Sequence, residues 1–161
     1  MIISRLRAQT IQVAAIVLLL TVSVHAAAKE RFVSRLTLPS GQTAVVAEGD
    51  FEARSIGSFS IRLYKAAKPP NETTFFTSGL VRPRDGTINK VVLADVDGDG
   101  RKEIVVVVHS VGTGGYLSAQ AFAIAGDRLV FRGAVEGLAR DDNPVAALRR
   151  SMQRREKSRE K

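Results

Sequence analysis

The chain has no cysteine and no tryptophan, and only two histidines among its 161 residues. Without cysteine there is no disulfide, no thiol nucleophile and no lipid-bearing N-terminal cysteine. A fold exported from the cytoplasm must then rest on its apolar core alone. His25 falls in an N-terminal apolar segment, which leaves His109 as the one histidine of the remaining chain. A zinc site needs several His or Cys ligands, so none can be built. Ser110 follows His109 directly, but neighbours on a strand point to opposite faces and do not readily share a hydrogen bond. Glu52, Glu72 and Glu136 are isolated acids near turn signals and are expected in water. No nucleophile, base and orienting group can be assembled, so the chain is not read as an enzyme.

One-sided charge is also scarcer than the total suggests. The formal net charge is +8, of which Arg5 and Arg7 supply +2 and residues 149–161 supply +5, leaving +1 over residues 29–148. A nucleic-acid surface would place its charge on the folded domain, interleaved with aromatics. Here the basic stretch is terminal and carries no aromatic residue. It reads as a solvated helix or tail, and nucleic-acid binding is not expected.

The N-terminus carries Arg5 and Arg7, then an apolar run from Ile11 to Val24, then the small residues Ala26, Ala27 and Ala28. This is the pattern of a secretory signal peptide. Gln12, Thr21 and Ser23 interrupt the run, which is short for a span needing about 20 apolar residues. Cleavage is therefore favoured over a stable membrane anchor. The expected organisation is a signal peptide over 1–28, one domain over 29–148 and a basic tail over 149–161, in a periplasmic protein.

From Phe32 onward, short runs alternate with turn signals, as in an all-β domain. Strands are expected over 32–38, 42–48, 58–64, 74–81, 87–94, 103–109, 116–124 and 128–132. Ser58 to Tyr64 is the cleanest, with Phe59, Ile61 and Leu63 alternating with polar residues. Glu103 to His109 is apolar at consecutive positions, the mark of a central strand buried on both faces. Arg82-Pro-Arg-Asp-Gly86 reads as a turn. Asn143 fits a helix N-cap and Pro144 the first helical turn. The predicted fold is a two-sheet antiparallel β-sandwich with a short C-terminal helix.

Two loops carry what chemistry the chain offers. In the first, Asp95, Asp97, Asp99 and Glu103 alternate with residues that include Gly98 and Gly100. Alternate acids on a folded-back loop offer oxygen ligands suited to Ca²⁺. An EF-hand would need a bidentate glutamate where Val106 stands. The segment resembles instead the calcium-binding loops of integrin-type propeller repeats and dockerins, which come in several copies where this chain has one. Ca²⁺ is therefore expected to be optional, and the alternative is an acidic turn in water. The second loop, Ser110 to Tyr116, contains Gly112, Thr113, Gly114 and Gly115. It places hydroxyls and a phenol at a flexible tip beyond a buried strand.

At this loop the chain resembles the bacterial periplasmic inhibitors of invertebrate-type lysozyme. The resemblance rests on residues 47–60 (AEGDFEARSIGSFS), 82–86 (RPRDG), 92–101 (VLADVDGDGR), 110–120 (SVGTGGYLSAQ) and 135–138 (VEGL). It spans roughly residues 42–148, the whole expected domain. It implies a β-sandwich able to form a homodimer, lysozyme as protein partner, no required cofactor, and a loop of pattern Ser-Gly-x-Tyr that enters the lysozyme cleft. The matching positions are Thr113, Gly114, Gly115 and Tyr116. Threonine replaces serine, keeping the hydroxyl while adding a methyl and a stiffer χ1. A second class of function uses the other loop, as a calcium-binding adhesion or scaffold module built on Asp95 to Glu103.

Overall fold

The computed structural model describes residues 30–159. The signal peptide expected at 1–28 lies outside the described residues. Eight strands and a helix follow one another: β1 (Val33–Thr37), β2 (Thr43–Glu48), β3 (Ile56–Tyr64), β4 (Phe76–Asp85), β5 (Thr87–Ala94), β6 (Glu103–His109), β7 (Leu117–Ala125), β8 (Arg128–Leu138) and α1 (Pro144–Arg159). The first four strands form one antiparallel sheet and the last four another, each in sequence order. The predicted sandwich with its C-terminal helix is the fold observed.

The alternation read in β3 sets the inner face of the first sheet. Phe59, Ile61 and Leu63 are fully buried and meet Ile104, Val106, Val108 and Phe122 of the second sheet. Phe59 and Phe122 pack edge to face at 6.1 Å between ring centroids. The unbroken apolar run of β6 has a two-part explanation. Its even-numbered residues face the first sheet, while Val105 and Val107 face α1 and pack with Leu148 and Met152. Strand β6 is thus the middle of three layers.

Helix α1 starts where the sequence predicts. The Asn143 side-chain oxygen accepts from the Val145 and Ala146 amides at 3.1 and 3.2 Å, which satisfies two otherwise orphaned donors. The helix continues past residue 148, where the basic tail was expected to begin, and Met152 is buried under the second sheet. The arginines that follow Leu148 therefore belong to a helix with an apolar face.

One reading is corrected here. Residues 82–85 are not a turn but the end of β4, with Pro83 paired opposite Ser58. Strand β4 is a sheet edge, where a residue lacking an amide hydrogen leaves no ladder bond unmade. Its carbonyl accepts from Gln120 Nε2 at 3.1 Å. Only Gly86 turns, at φ +120°, and it alone carries the chain from one sheet to the other. A Cβ there would lie 2.0 Å from the His109 carbonyl oxygen, so no other residue fits.

The buried Met152 generates a prediction. Met152→Ala is expected to lower folding stability by about 2–5 kcal/mol, the usual range for truncating a buried large apolar side chain. Gln153→Ala, one residue on and exposed, is expected to stay within about 0.5 kcal/mol of the parent. Urea denaturation of both variants checks the contrast.

Candidate functional site

The strand registers place the two candidate loops at opposite ends of the sandwich. Ile56 pairs with Asp85, Thr87 with His109, and His109 with Leu117, so the segments 49–55 and 110–116 and the Gly86 corner share one end. Ala94 pairs with Glu103 at the far end of the same sheet, which carries the acidic loop.

The acidic loop brings three of its four acids together. Carboxylate oxygens of Asp95, Asp97 and Asp99 lie within 4.8 Å of one another. Glu103 is not among them: it opens β6 with its side chain buried, and its carboxylate accepts from the Val96 amide at 2.9 Å. Each aspartate already has partners. Asp95 accepts from the amides of Gly98 and Gly100. Asp97 pairs with Arg132 at 2.8 Å, and Asp99 with Arg101 at 2.6 Å. Hydrogen bonds from the Arg101 side chain and amide hold the Asp99 carboxyl below its ordinary range. The mutual repulsion of these carboxylates is thus offset by Arg101 and Arg132.

The glycine loop is closed at its base and open at its tip. The Ser110 amide donates to the Tyr116 carbonyl at 2.9 Å, and the Gly115 amide to the Gly112 carbonyl at 3.2 Å. The inner bond makes a turn with Thr113 and Gly114 at its apex. Thr113, Gly114 and Tyr116 are exposed, as are Val111 and Gly112, while Ser110 is half-buried. A Cβ at Gly114 would lie 2.2 Å from the Tyr116 ring, so the ring folds over this glycine and would have to swing aside for any side chain there. Gly115 takes φ +58°, where glycine has no steric cost. Its Cα side faces His109 and Arg140. These two residues also line an open hollow of about 360 Å³ beside the loop, with Thr87, Ile88, Asn89 and Leu117.

Beneath the same end lies a network that sequence reasoning missed. The Arg84 side chain is fully buried. It donates to the carbonyls of Ser58 at 3.0 Å, Arg54 at 2.8 Å, Ala53 at 3.0 Å, and Gly86. Its charge is matched by Glu52, 3.9 Å away. Glu52, expected in water, instead accepts from both the amide and the hydroxyl of Ser58. Those two bonds, with Arg84 adding to them, hold its carboxyl below the ordinary range. The sequence signal for this network was the Arg-Pro-Arg-Asp-Gly motif, which carried resemblance but no hint that its second arginine is interior.

A family profile described as periplasmic lysozyme inhibitor of I-type lysozyme matches residues 30–152. The chain belongs to that family. Its members are protein inhibitors rather than enzymes, and the family name places them in the periplasm. A solved inhibitor of I-type lysozyme from Aeromonas hydrophila is 45% identical, with a TM-score of 0.69, over 73% of this chain and 98% of that one. A second structure shows the Aeromonas hydrophila inhibitor in complex with Meretrix lusoria lysozyme. It is also 45% identical, with a TM-score of 0.68, over 73% of this chain and 94% of that one. No curated protein sequence matches the chain. No helix among the described residues is long and apolar enough to cross a membrane.

In this lysozyme-inhibitor family member, the interior position of Glu103 makes a pH signature. Burial raises its carboxyl above the ordinary value of 4.5, and the nearby Asp97 and Asp99 charges add to the rise, against the bond from Val96. The native state then holds this proton more tightly than the unfolded chain. The stability it contributes is full at acid pH and is lost as pH rises through the elevated value. Glu103→Gln keeps an acceptor for Val96 and removes the titration. The stability of the variant relative to the parent is expected to improve as pH rises from the ordinary glutamate value of 4.5 through the elevated one, and then to level off. Urea melts across that range read the slope, and a flat difference would contradict the assignment.

Proposed function

We propose that this chain inhibits I-type lysozyme by placing the Ser110–Tyr116 loop in the enzyme's catalytic cleft. The observation that carries the reading is the loop's construction: a base closed by backbone hydrogen bonds, a two-residue apex, and an exposed phenol lying over Gly114. Family membership and the relative crystallised with Meretrix lusoria lysozyme support it.

The chemistry follows from what a glycoside-cleaving cleft contains. Two carboxyl groups flank the scissile bond, and hydrogen-bonding groups around them receive a sugar. The Thr113 hydroxyl and the Tyr116 phenol can donate to those carboxylates where sugar hydroxyls would. Hydrogen bonds to an ionised acceptor are the strong kind. Gly114 and Gly115 keep the loop narrow, and the absence of side chains lets the backbone descend into the cleft. Tyrosine adds apolar area at little cost in rotamer entropy. The domain over 29–148 is nearly neutral, so long-range attraction contributes little and affinity comes from fit. No cofactor enters this mechanism. The Asp95–Glu103 loop lies at the other end of the molecule and is proposed to act as a turn stapled by Arg101 and Arg132, without need of Ca²⁺.

Two substitutions test the loop. Tyr116→Ala is expected to weaken inhibition of an I-type lysozyme by roughly 2 kcal/mol or more, about thirtyfold, the scale of an interface anchor. Thr113→Ala is expected to cost about 1–2 kcal/mol, the scale of one hydrogen bond to a charged group. Both side chains are exposed, so the melting curves should match the parent. Unchanged inhibition constants for both folded variants would refute cleft entry by this loop.

A further inference from the structure

Phe51 is the one residue other than glycine with a positive φ among the described residues, at +60°, and its side chain is fully exposed. Left-handed backbone is sterically costly for any residue with a Cβ. Asparagine or glycine would be the economical choice there. A phenylalanine that neither packs nor suits its backbone contributes nothing to this fold. Such a combination marks a residue retained for a task outside the fold.

The segment around Phe51 is held with unusual completeness. Four consecutive carbonyls after it each accept a hydrogen bond. Glu52 accepts from Arg31, Ala53 and Arg54 from Arg84, and Ser55 from the Gly86 amide at 2.8 Å. The Glu52 side chain is fixed in turn by Ser58. This is a rigid platform that projects an aromatic ring into solvent. Ile56, at its end, is also exposed.

The platform adjoins the glycine loop through one residue. Gly86 bonds Ser55 on one side, and on the other its Cα packs against the His109 carbonyl and Ser110. Phe51, Ile56, Val111 and Tyr116 are therefore four exposed large apolar side chains gathered at one end of the sandwich. Grouped exposed apolar residues mark an interaction surface.

We infer that the Phe51 platform is a second contact with lysozyme: while the Ser110–Tyr116 loop occupies the cleft, Phe51 and Ile56 pack on the apolar enzyme surface flanking it. The inference rests on the reading of Ser110–Tyr116 as the inhibitory loop. It makes the interface two-pronged, with both prongs anchored on the corner built by Arg84 and Gly86. The spacing of the prongs is fixed by the fold, so they engage one partner without paying for a flexible linker. A ring presented at a rigid, preorganised site loses little freedom on binding.

Phe51→Asn separates the two roles of the residue. Asparagine tolerates left-handed backbone, so the variant is expected to melt at or above the parent temperature. Its inhibition constant against an I-type lysozyme is expected to rise roughly tenfold, within the range of aromatic interface residues. Ile56→Ser is expected to raise it severalfold. Sedimentation of the free proteins accompanies the assay, and Tyr116→Ala is measured beside them. Parent-like inhibition by well-folded Phe51→Asn and Ile56→Ser overturns the inference, and if Phe51→Asn alters only self-association, the platform faces a second copy of the chain. Weak Tyr116→Ala with parent-like Phe51→Asn leaves the loop standing and removes the platform. The reverse pattern, parent-like Tyr116→Ala with weak Phe51→Asn, removes cleft entry by the loop and overturns the two-pronged contact with it.

Discussion

A single buried guanidinium organises the end of the molecule on which function is placed. Arg84 has no exposed side-chain surface, and its donors reach carbonyls from two segments of chain and from the corner residue Gly86. Burying an arginine is costly unless its charge and every donor are met. Here Glu52 supplies the charge and the carbonyls supply the acceptors. The bonds in turn fix where β4 becomes β5, where the 49–55 segment sits, and hence where the glycine loop emerges beside it. Removing Glu52 would leave the interior guanidinium without its counter-charge, and removing Arg84 would leave the carbonyls of Ala53, Arg54, Ser58 and Gly86 without their donor.

The rest of the fold supplies stiffness to that end. Sheet two is covered on both faces, by sheet one and by α1, and its inner strand β6 is buried from Glu103 to Val108, with His109 half-buried. A strand so confined cannot slip by one residue without exposing an apolar face. The glycine loop therefore begins from a fixed point, and its freedom is limited to a few residues. Glu48 adds a further tie, since its buried carboxylate accepts from the Ile88 amide at 2.7 Å across the two sheets.

Much of this was legible in the sequence. The alternation in Ser58–Tyr64 gave β3 its inner face, the continuous run in Glu103–His109 marked a strand buried on both sides, and Asn143-Pro144 marked the helix start. Each is a local pattern with a local cause. The loop carrying Thr113 and Tyr116 was legible through its glycines and through family resemblance. The buried polar groups were not. Arg84 and Glu103 look like surface residues by type, and charged residues are rarely interior. What draws them in is a set of carbonyls and amides contributed from up to 31 residues away in sequence. Spacing along the chain carries no trace of such partners. The left-handed backbone at Phe51 was invisible for the same reason, since phenylalanine gives no local signal for it. Pro83 misled because a proline in an edge strand and a proline in a turn read alike.

The proposed lysozyme contact lies at the end of the sandwich that holds Gly86, with none at the acidic end. Hydrogen–deuterium exchange of the free protein and of its complex with an I-type lysozyme tests this most directly. Slowed exchange on complex formation is expected in residues 110–116 and 50–56, with residues 95–102 unchanged. Slowed exchange confined to residues 95–102, with the other end unaffected, would contradict it.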